Sequence, residues 1–183
     1  MMIQTNVIKK QLKIKKTMYR YYYVLLLIER FMGQVVSLNI NPLGGVPKYP
    51  VNQIVIRTNG VEGDKQNDLK YHGGPTRAVC LFSFERIEQL RSEGHPIGIG
   101  STGENITIKG IDWSTLEIGM KIGIGDVVLE LTNTAPPCKT IIESFNDGRF
   151  SRILEKNHPG WSRWYASVIK EGIVNSNDLV SLE

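Results

Sequence analysis

Cysteine and histidine are scarce in this chain, which has 2 Cys and 3 His among 183 residues. Two thiols are too few for a disulfide framework, a zinc ribbon or a cysteine-ligated iron–sulfur cluster. No His stands at metal-ligand spacing, which argues against a zinc or di-iron centre. Long apolar runs are also missing. The longest in the N-terminal region, Tyr21 to Ile28, is far short of the roughly 20 residues that cross a bilayer. There is no Gly-Lys-Ser/Thr of a phosphate-binding loop, no glycine fingerprint opening a helix, and no internal repeat. With 41% hydrophobic and 22% charged residues, the composition is that of a globular chain long enough to bury a sizeable core.

An excess of positive charge is absent from most of the chain, although the formal net charge is +4. Residues 1–32 carry seven Lys or Arg against the single acid Glu29, and the remaining residues carry 15 basic and 17 acidic side chains. The body is therefore slightly negative and offers little attraction for nucleic acid. The basic stretch is followed by Ile28-Glu29-Arg30-Phe31-Met32, which is bulky and charged, so it lacks the small-residue cleavage site of a signal peptide. Residues 1–32 read as an extension outside the core, with a basic amphipathic helix on an anionic membrane as the alternative. Residues 33–183 are expected to form one domain, cytoplasmic and without firm membrane association.

From residue 34 onward the apolar pattern is short and repeatedly broken by Gly, Asn, Asp or Pro, which favours strands over long helices. Strands are expected at 34–40, 53–57, 77–83, 105–109, 121–124, 127–132, 164–170 and 178–182, where β-branched residues dominate. The pattern implies a mainly β chain, a closed or partly closed barrel. Ser83 to Glu93 places Phe84, Ile87 and Leu90 at helical spacing and stops at Gly94. Short helices are also expected at 139–145 and 149–156.

Chemistry concentrates in a few places. Cys138 follows Pro136-Pro137 and precedes an expected helix beginning at Lys139. A thiol there meets unpaired backbone N–H groups and a neighbouring ammonium, both of which favour the thiolate. The residues alone leave open whether it is such a reactive sulfur or a small buried hydrophobe. Cys80, inside an alternating strand, reads as core packing. Tyr71-His72-Gly73-Gly74-Pro75-Thr76-Arg77 is a glycine-rich turn with an imidazole on one side and a guanidinium on the other. It suits a phosphate-bearing ligand, or is an ordinary turn. Glu104 and Asn105 open the next strand as ligand-orienting groups or as turn formers. Glu62-Gly63-Asp64 offers two carboxylates at a barrel end, and Trp161, Arg163, Trp164 and Tyr165 read as packing for the last strands.

Taken in order, Glu62-Gly63-Asp64, His72-Gly73-Gly74 with Arg77-Ala78-Val79, Gly103-Glu104-Asn105-Ile106-Thr107 with Gly110, Ile118-Gly119, Ile122-Gly123 and Pro137-Cys138 resemble the MOSC family. That family is named for the C-terminal domain of molybdenum-cofactor sulfurases, and the resemblance is to its stand-alone bacterial members. It implies a barrel-like β fold in which the cysteine matched by Cys138 either ligates molybdenum in a pterin cofactor or carries persulfide sulfur. It implies reduction of N-hydroxylated compounds, such as N-hydroxylated purines, with electrons from a separate flavin or iron–sulfur protein. A sulfur carrier and a non-catalytic ligand-binding module are the alternatives. Under the first reading Cys138 binds the metal at the barrel mouth. His72, Gly73, Gly74 and Arg77 contact the pterin phosphate, and Glu104, Asn105 and Lys139 assist. The arginine that members often carry shortly before the Pro-Cys step is missing, since Asn133-Thr134-Ala135-Pro136 stands there. The oxyanion or substrate contact it makes is expected to be missing or to come from Lys139 or Arg149.

Overall fold

The computed structural model describes residues 18–19, 32–67 and 72–183. Apart from Met18, Tyr19 and Met32, the expected N-terminal extension lies outside the described residues. The elements are β1 (Met32–Ile40), β2 (Tyr49–Val51), β3 (Gln53–Arg57), β4 (Gly60–Val61), β5 (Val79–Ser83), α1 (Phe84–Ser92), β6 (Ile106–Lys109), β7 (Lys121–Ile124), β8 (Val127–Ala135), β9 (Arg163–Lys170), β10 (Gly172–Asn175) and β11 (Leu179–Leu182). Seven strands pair in the order β11-β7-β8-β9-β5-β6-β1, and β1 pairs back onto β11 to close a barrel, with β2 attached outside β1. The expected mainly β, barrel-like fold is the one observed. No helix among the described residues is long and apolar enough to cross a membrane.

The barrel core follows from alternation. Val35, Leu38, Leu81, Ile106, Ile108, Leu129, Leu131, Ala166 and Val180 pack together inside, all at 1% exposure or less. Each buried Leu or Ile contributes about 1.5–3 kcal/mol relative to an exposed one. A second apolar cluster lies outside the wall, where Phe82 of β5 meets Ile87 and Leu90 of α1 together with Ile97, Ile141, Phe145 and Ile153. Ser83 caps α1 by accepting a hydrogen bond from the Arg86 N–H through its Oγ.

Several expected elements are changed. The strand expected from residue 77 begins at Val79, because Pro75–Arg77 forms a 3-10 turn. β8 continues past residue 132 to Ala135 through an irregularity between Leu131 and Asn133, where its register with β9 shifts. The helices expected at 139–145 and 149–156 are 3-10 helices at Lys139–Ser144 and Phe150–Ile153. In the first, only Ile141 and Ser144 are buried. Their spacing of three matches one 3-10 turn and presents no wider apolar face to stabilise an α-helix.

Candidate functional site

Pairing of β5 with β9 sets Cys80 opposite Tyr165. Val79 and Leu81 on one strand, and Trp164 and Ala166 on the other, belong to the barrel core. Side chains alternate along a strand, so Cys80 and Tyr165 point to the outer surface of the wall, where they cluster with Ala135. This small cluster therefore lies on the outside of the barrel wall.

Cys138 arrives at this face three residues beyond the end of β8. Its backbone is extended (φ −136°, ψ 175°), it is half-buried, and its thiol donates to Thr140 Oγ1 at 3.3 Å. Its carbonyl accepts the Ile141 N–H at 3.2 Å, which starts the 3-10 helix. The dipole aimed at the sulfur is thus that of six 3-10 residues, not of the α-helix expected. Lys139 is exposed.

The glycine turn reaches the same face through Tyr165. His72 Nδ1 and Tyr165 Oη are hydrogen-bonded at 2.7 Å, with the two rings edge to face. Tyr71, the first residue of the motif, lies outside the described residues. Gly73 and Gly74 adopt φ of 76° and 75°. With ψ at 174°, Gly74 occupies a region essentially reserved for glycine. Among the described residues, a Cβ on Gly74 would meet nothing within 4 Å. Burial holds the Tyr165 phenol protonated far above its usual range, and Cys80 and Cys138 add to the effect. The guanidinium groups of Arg163 and Arg77 oppose it. Burial likewise pushes the Cys80 thiol up, against the attraction of Arg163 and Lys48.

Behind this face lies a buried polar network. Asn105 Oδ1 accepts the Cys80 N–H at 3.1 Å, and its Nδ2 donates to Asn39 O at 3.2 Å and Asp64 Oδ2 at 3.0 Å. Asp64 also accepts from the Asn41 N–H at 2.8 Å and from Lys48 Nζ at 2.6 Å, in an ion pair whose side chains are 0% and 9% exposed. The carboxylate of Glu104 accepts from the Gly100 N–H at 2.5 Å and from the Thr102 hydroxyl at 2.7 Å. Glu104 is fully buried and Asn105 nearly so, so both brace the wall and its glycine loop. The two carboxylates of Glu62-Gly63-Asp64 part company, since Glu62 is exposed and pairs with Arg57 at 2.7 Å.

The guanidinium beside the Pro-Cys step comes from neither Lys139 nor Arg149. Arg149 is exposed and faces Asp147 at 3.6 Å. Arg163, paired across the strands with Ala135, donates to the carbonyls of Thr102 and Pro136, the latter at 3.4 Å. Its Nε is buried without a hydrogen-bond partner. Arg163, Tyr165 and Lys48 are the site residues that sequence reasoning did not select. For the first two, the period-2 pattern of 163–166 held the signal, because it puts Arg163 and Tyr165 on one face and Trp164 and Ala166 on the other. Lys48, in a loop, left no such signal.

Comparison with known proteins bears on the family and the fold. The model of the MOSC domain matches residues 68–181. The uncharacterized protein YflK of Bacillus subtilis (strain 168) is 29% identical over 135 residues, covering 72% of this chain and 59% of YflK. Protein YiiM of Escherichia coli (strain K12) is 22% identical over 155 residues, covering 82% of this chain and 68% of YiiM. The chain thus spans less than two thirds of YflK. The solved structure of YiiM from Geobacillus stearothermophilus superposes with a TM-score of 0.62 at 21% identity, over 82% of this chain and 75% of that one, and shares the fold. The YUAD protein of Bacillus subtilis does so with a TM-score of 0.64 at 15% identity, over 82% and 95%. With the family model matched over more than half of its length, the chain belongs to the MOSC domain family.

Proposed function

We propose that this chain binds a molybdenum–pterin cofactor through the Cys138 thiolate and reduces N-hydroxylated compounds with electrons from a separate flavin or iron–sulfur protein. The observation that carries the reading is the setting of Cys138 Sγ. It is the half-exposed member of the two thiols and donates to a surface hydroxyl, while two guanidinium groups and an imidazole lie about the neighbouring phenol. A soft sulfur donor in cationic surroundings suits a soft, oxyanion-rich metal group.

The remaining residues fit that group. Gly73 and Gly74, both at positive φ and with no described residue crowding Gly74, let backbone N–H groups approach a phosphate closely. Arg163 keeps one buried N–H without a partner, beside the carbonyl it holds at Pro136. Cys138 would hold the metal, and His72, Gly73, Gly74 and Arg77 would hold the phosphate end. Lys139 lies at the solvent edge, and Glu104 and Asn105 support the wall from within. When bound, the cofactor supplies the two-electron chemistry that no side chain here can provide. The chain itself orients the ligand, keeps the Tyr165 proton in place and positions the sulfur.

A persulfide carrier would use the same exposed sulfur, and metal and sulfur analysis separates the two readings. The full chain, expressed in a host that makes molybdopterin, is expected to contain stoichiometric molybdenum and no cyanolysable sulfur. Cys138→Ser is expected to lose the metal. Cyanolysable sulfur without molybdenum would replace the proposal with the carrier, and neither in wild type would leave a ligand-binding module.

A further inference from the structure

The glycine-dense loop 98–103 has no part in the proposed function, yet the segment that carries Cys138 is fastened to it at both ends. At the near end Arg163 donates to Thr102 O and, at 3.4 Å, to Pro136 O, two residues before the sulfur. At the far end Ser144 Oγ lies 2.9 Å from Ser101 Oγ and 3.2 Å from Ser101 O. Ser101 Oγ also accepts the Gly98 N–H at 2.9 Å. The Ser101 hydroxyl therefore donates to Ser144 Oγ, and the Ser144 hydroxyl donates to the Ser101 carbonyl. Between the two fastenings Ile141 is buried, and its N–H closes a turn on Cys138 O at 3.2 Å. Its neighbours Lys139, Thr140, Ile142 and Glu143 are exposed.

The loop is itself held from behind. The fully buried carboxylate of Glu104 accepts the Gly100 N–H at 2.5 Å and the Thr102 hydroxyl at 2.7 Å, and the Lys48 N–H donates to Gly100 O at 2.9 Å. Gly100 has a φ of 77°, and a Cβ there would run into the Lys48 carbonyl oxygen, so no other residue fits without moving backbone. From a sulfur hung between two fastenings on one braced loop we infer that the loop 98–103 positions Cys138. Ser144 and Arg163 are the positioning residues that connect them, and Glu104 is the brace that keeps the loop in place. This rests on the proposed role of Cys138 as the metal's ligand. A sulfur whose backbone is already fixed gives up little conformational freedom when it binds, so the fastenings strengthen metal binding without touching the metal. The sequence motif around Glu104 and its glycines then serves the sulfur from inside the protein, through the loop, and not by contact with the ligand.

Ser144→Ala tests this by removing one oxygen from the far fastening, with Cys138, the glycine turn and the barrel core left as they are. In the full chain without cofactor, hydrogen exchange of the Ile141 amide reports the turn on Cys138 O. It is expected to quicken about tenfold in the variant, while amides of β5 and β8 exchange as in wild type. In the full chain loaded in a host that makes molybdopterin, the variant is expected to lose molybdenum on dialysis about tenfold faster than wild type. Ser144→Thr, which restores the hydroxyl, is expected to retain the metal. Ser101→Ala, which loosens the same fastening from the loop side, is expected to show both changes. Wild-type Ile141 exchange in both alanine variants overturns the inference, whether or not the chain holds molybdenum. Faster exchange with wild-type metal retention also overturns it, because the fastening would then serve the fold alone. A wild-type chain that takes up no molybdenum overturns the reductase reading and this inference with it.

Discussion

Arg163 stands directly across β8 and β9 from Ala135 and reaches past it to the carbonyl of Pro136. The same guanidinium donates to Thr102 O in the glycine loop that leads to Glu104. One side chain thus ties the segment carrying Cys138 to the loop behind it. Arg163→Met keeps the stem and removes both hydrogen bonds, leaving buried carbonyl surface unpaired. The expected loss is about 2–3 kcal/mol of unfolding free energy, read from the urea midpoint. Arg163→Lys, with one compact ammonium in place of a fork, should recover only part of it. A Met variant as stable as wild type would show that the two carbonyls find other partners.

The Lys48–Asp64 pair is a second tie, and its energetics are asymmetric. Asp64→Asn leaves the ammonium of Lys48 buried without a counter-charge, and removing one partner of such a pair costs about 3–5 kcal/mol. Adding Lys48→Met to Asp64→Asn should recover much of that, because the amide can still accept from Asn41 N–H while the stranded charge is gone. A double-mutant cycle in denaturant measures the coupling. Additive losses would mean that the two groups act independently.

How far this was legible in the sequence depends on range. Strands such as 53–57 and 121–124 coincide with β3 and β7, because runs of β-branched residues between turn formers report a purely local preference. β2 and β4 have three and two residues, too few to show a period, and only pairing with neighbours makes them strands. The glycine turn and the Pro-Cys step were readable for the same local reason. That Glu104 and Asn105 face inward, and that Arg163 lies beside Pro136, depends on register between segments far apart in the chain, which no local pattern encodes.

The two thiols should differ sharply toward alkylating agents. Cys138 is half-exposed and donates to Thr140, whereas Cys80 is buried against Ala135 and Tyr165, with burial raising its pKa. Iodoacetamide on the native protein is expected to modify Cys138 alone, and both residues once the chain is unfolded, as peptide mass spectrometry would show. Cys138→Ser should leave the urea midpoint unchanged. Cys80→Ser should lower stability by about 1–3 kcal/mol, because it buries a hydroxyl in an apolar cluster. Rapid native labelling of Cys80 would contradict its placement in the wall.

His95 gives stability a pH dependence whose direction is fixed by its burial. Its Nδ1 accepts the Asn146 N–H at 3.1 Å, and its ring packs against Phe145, with centroids 5.3 Å apart, in the segment that follows Cys138. Burial holds its pKa below the ordinary 6.5. Glu93 opposes that shift, Arg149 and Arg152 reinforce it, and Asp147 opposes it weakly. Above 6.5 the imidazole is neutral in both folded and unfolded chains and contributes no slope. As the pH falls through 6.5, the unfolded chain takes up a proton that the folded one refuses, so stability declines until the lower folded value is passed. The limiting slope is about 1.4 kcal/mol per pH unit. His95→Gln, whose amide oxygen can still accept from Asn146, removes this site from the balance. Urea unfolding between about pH 7 and pH 5 should therefore give a flatter curve for the variant than for wild type. The comparison stays above the range where Glu93, held below its ordinary 4.5 mainly by its hydrogen bond with Arg152, begins to add its own loss of stability. Parallel curves for the two proteins would mean that His95 is protonated equally in both states and that its burial does not keep it neutral.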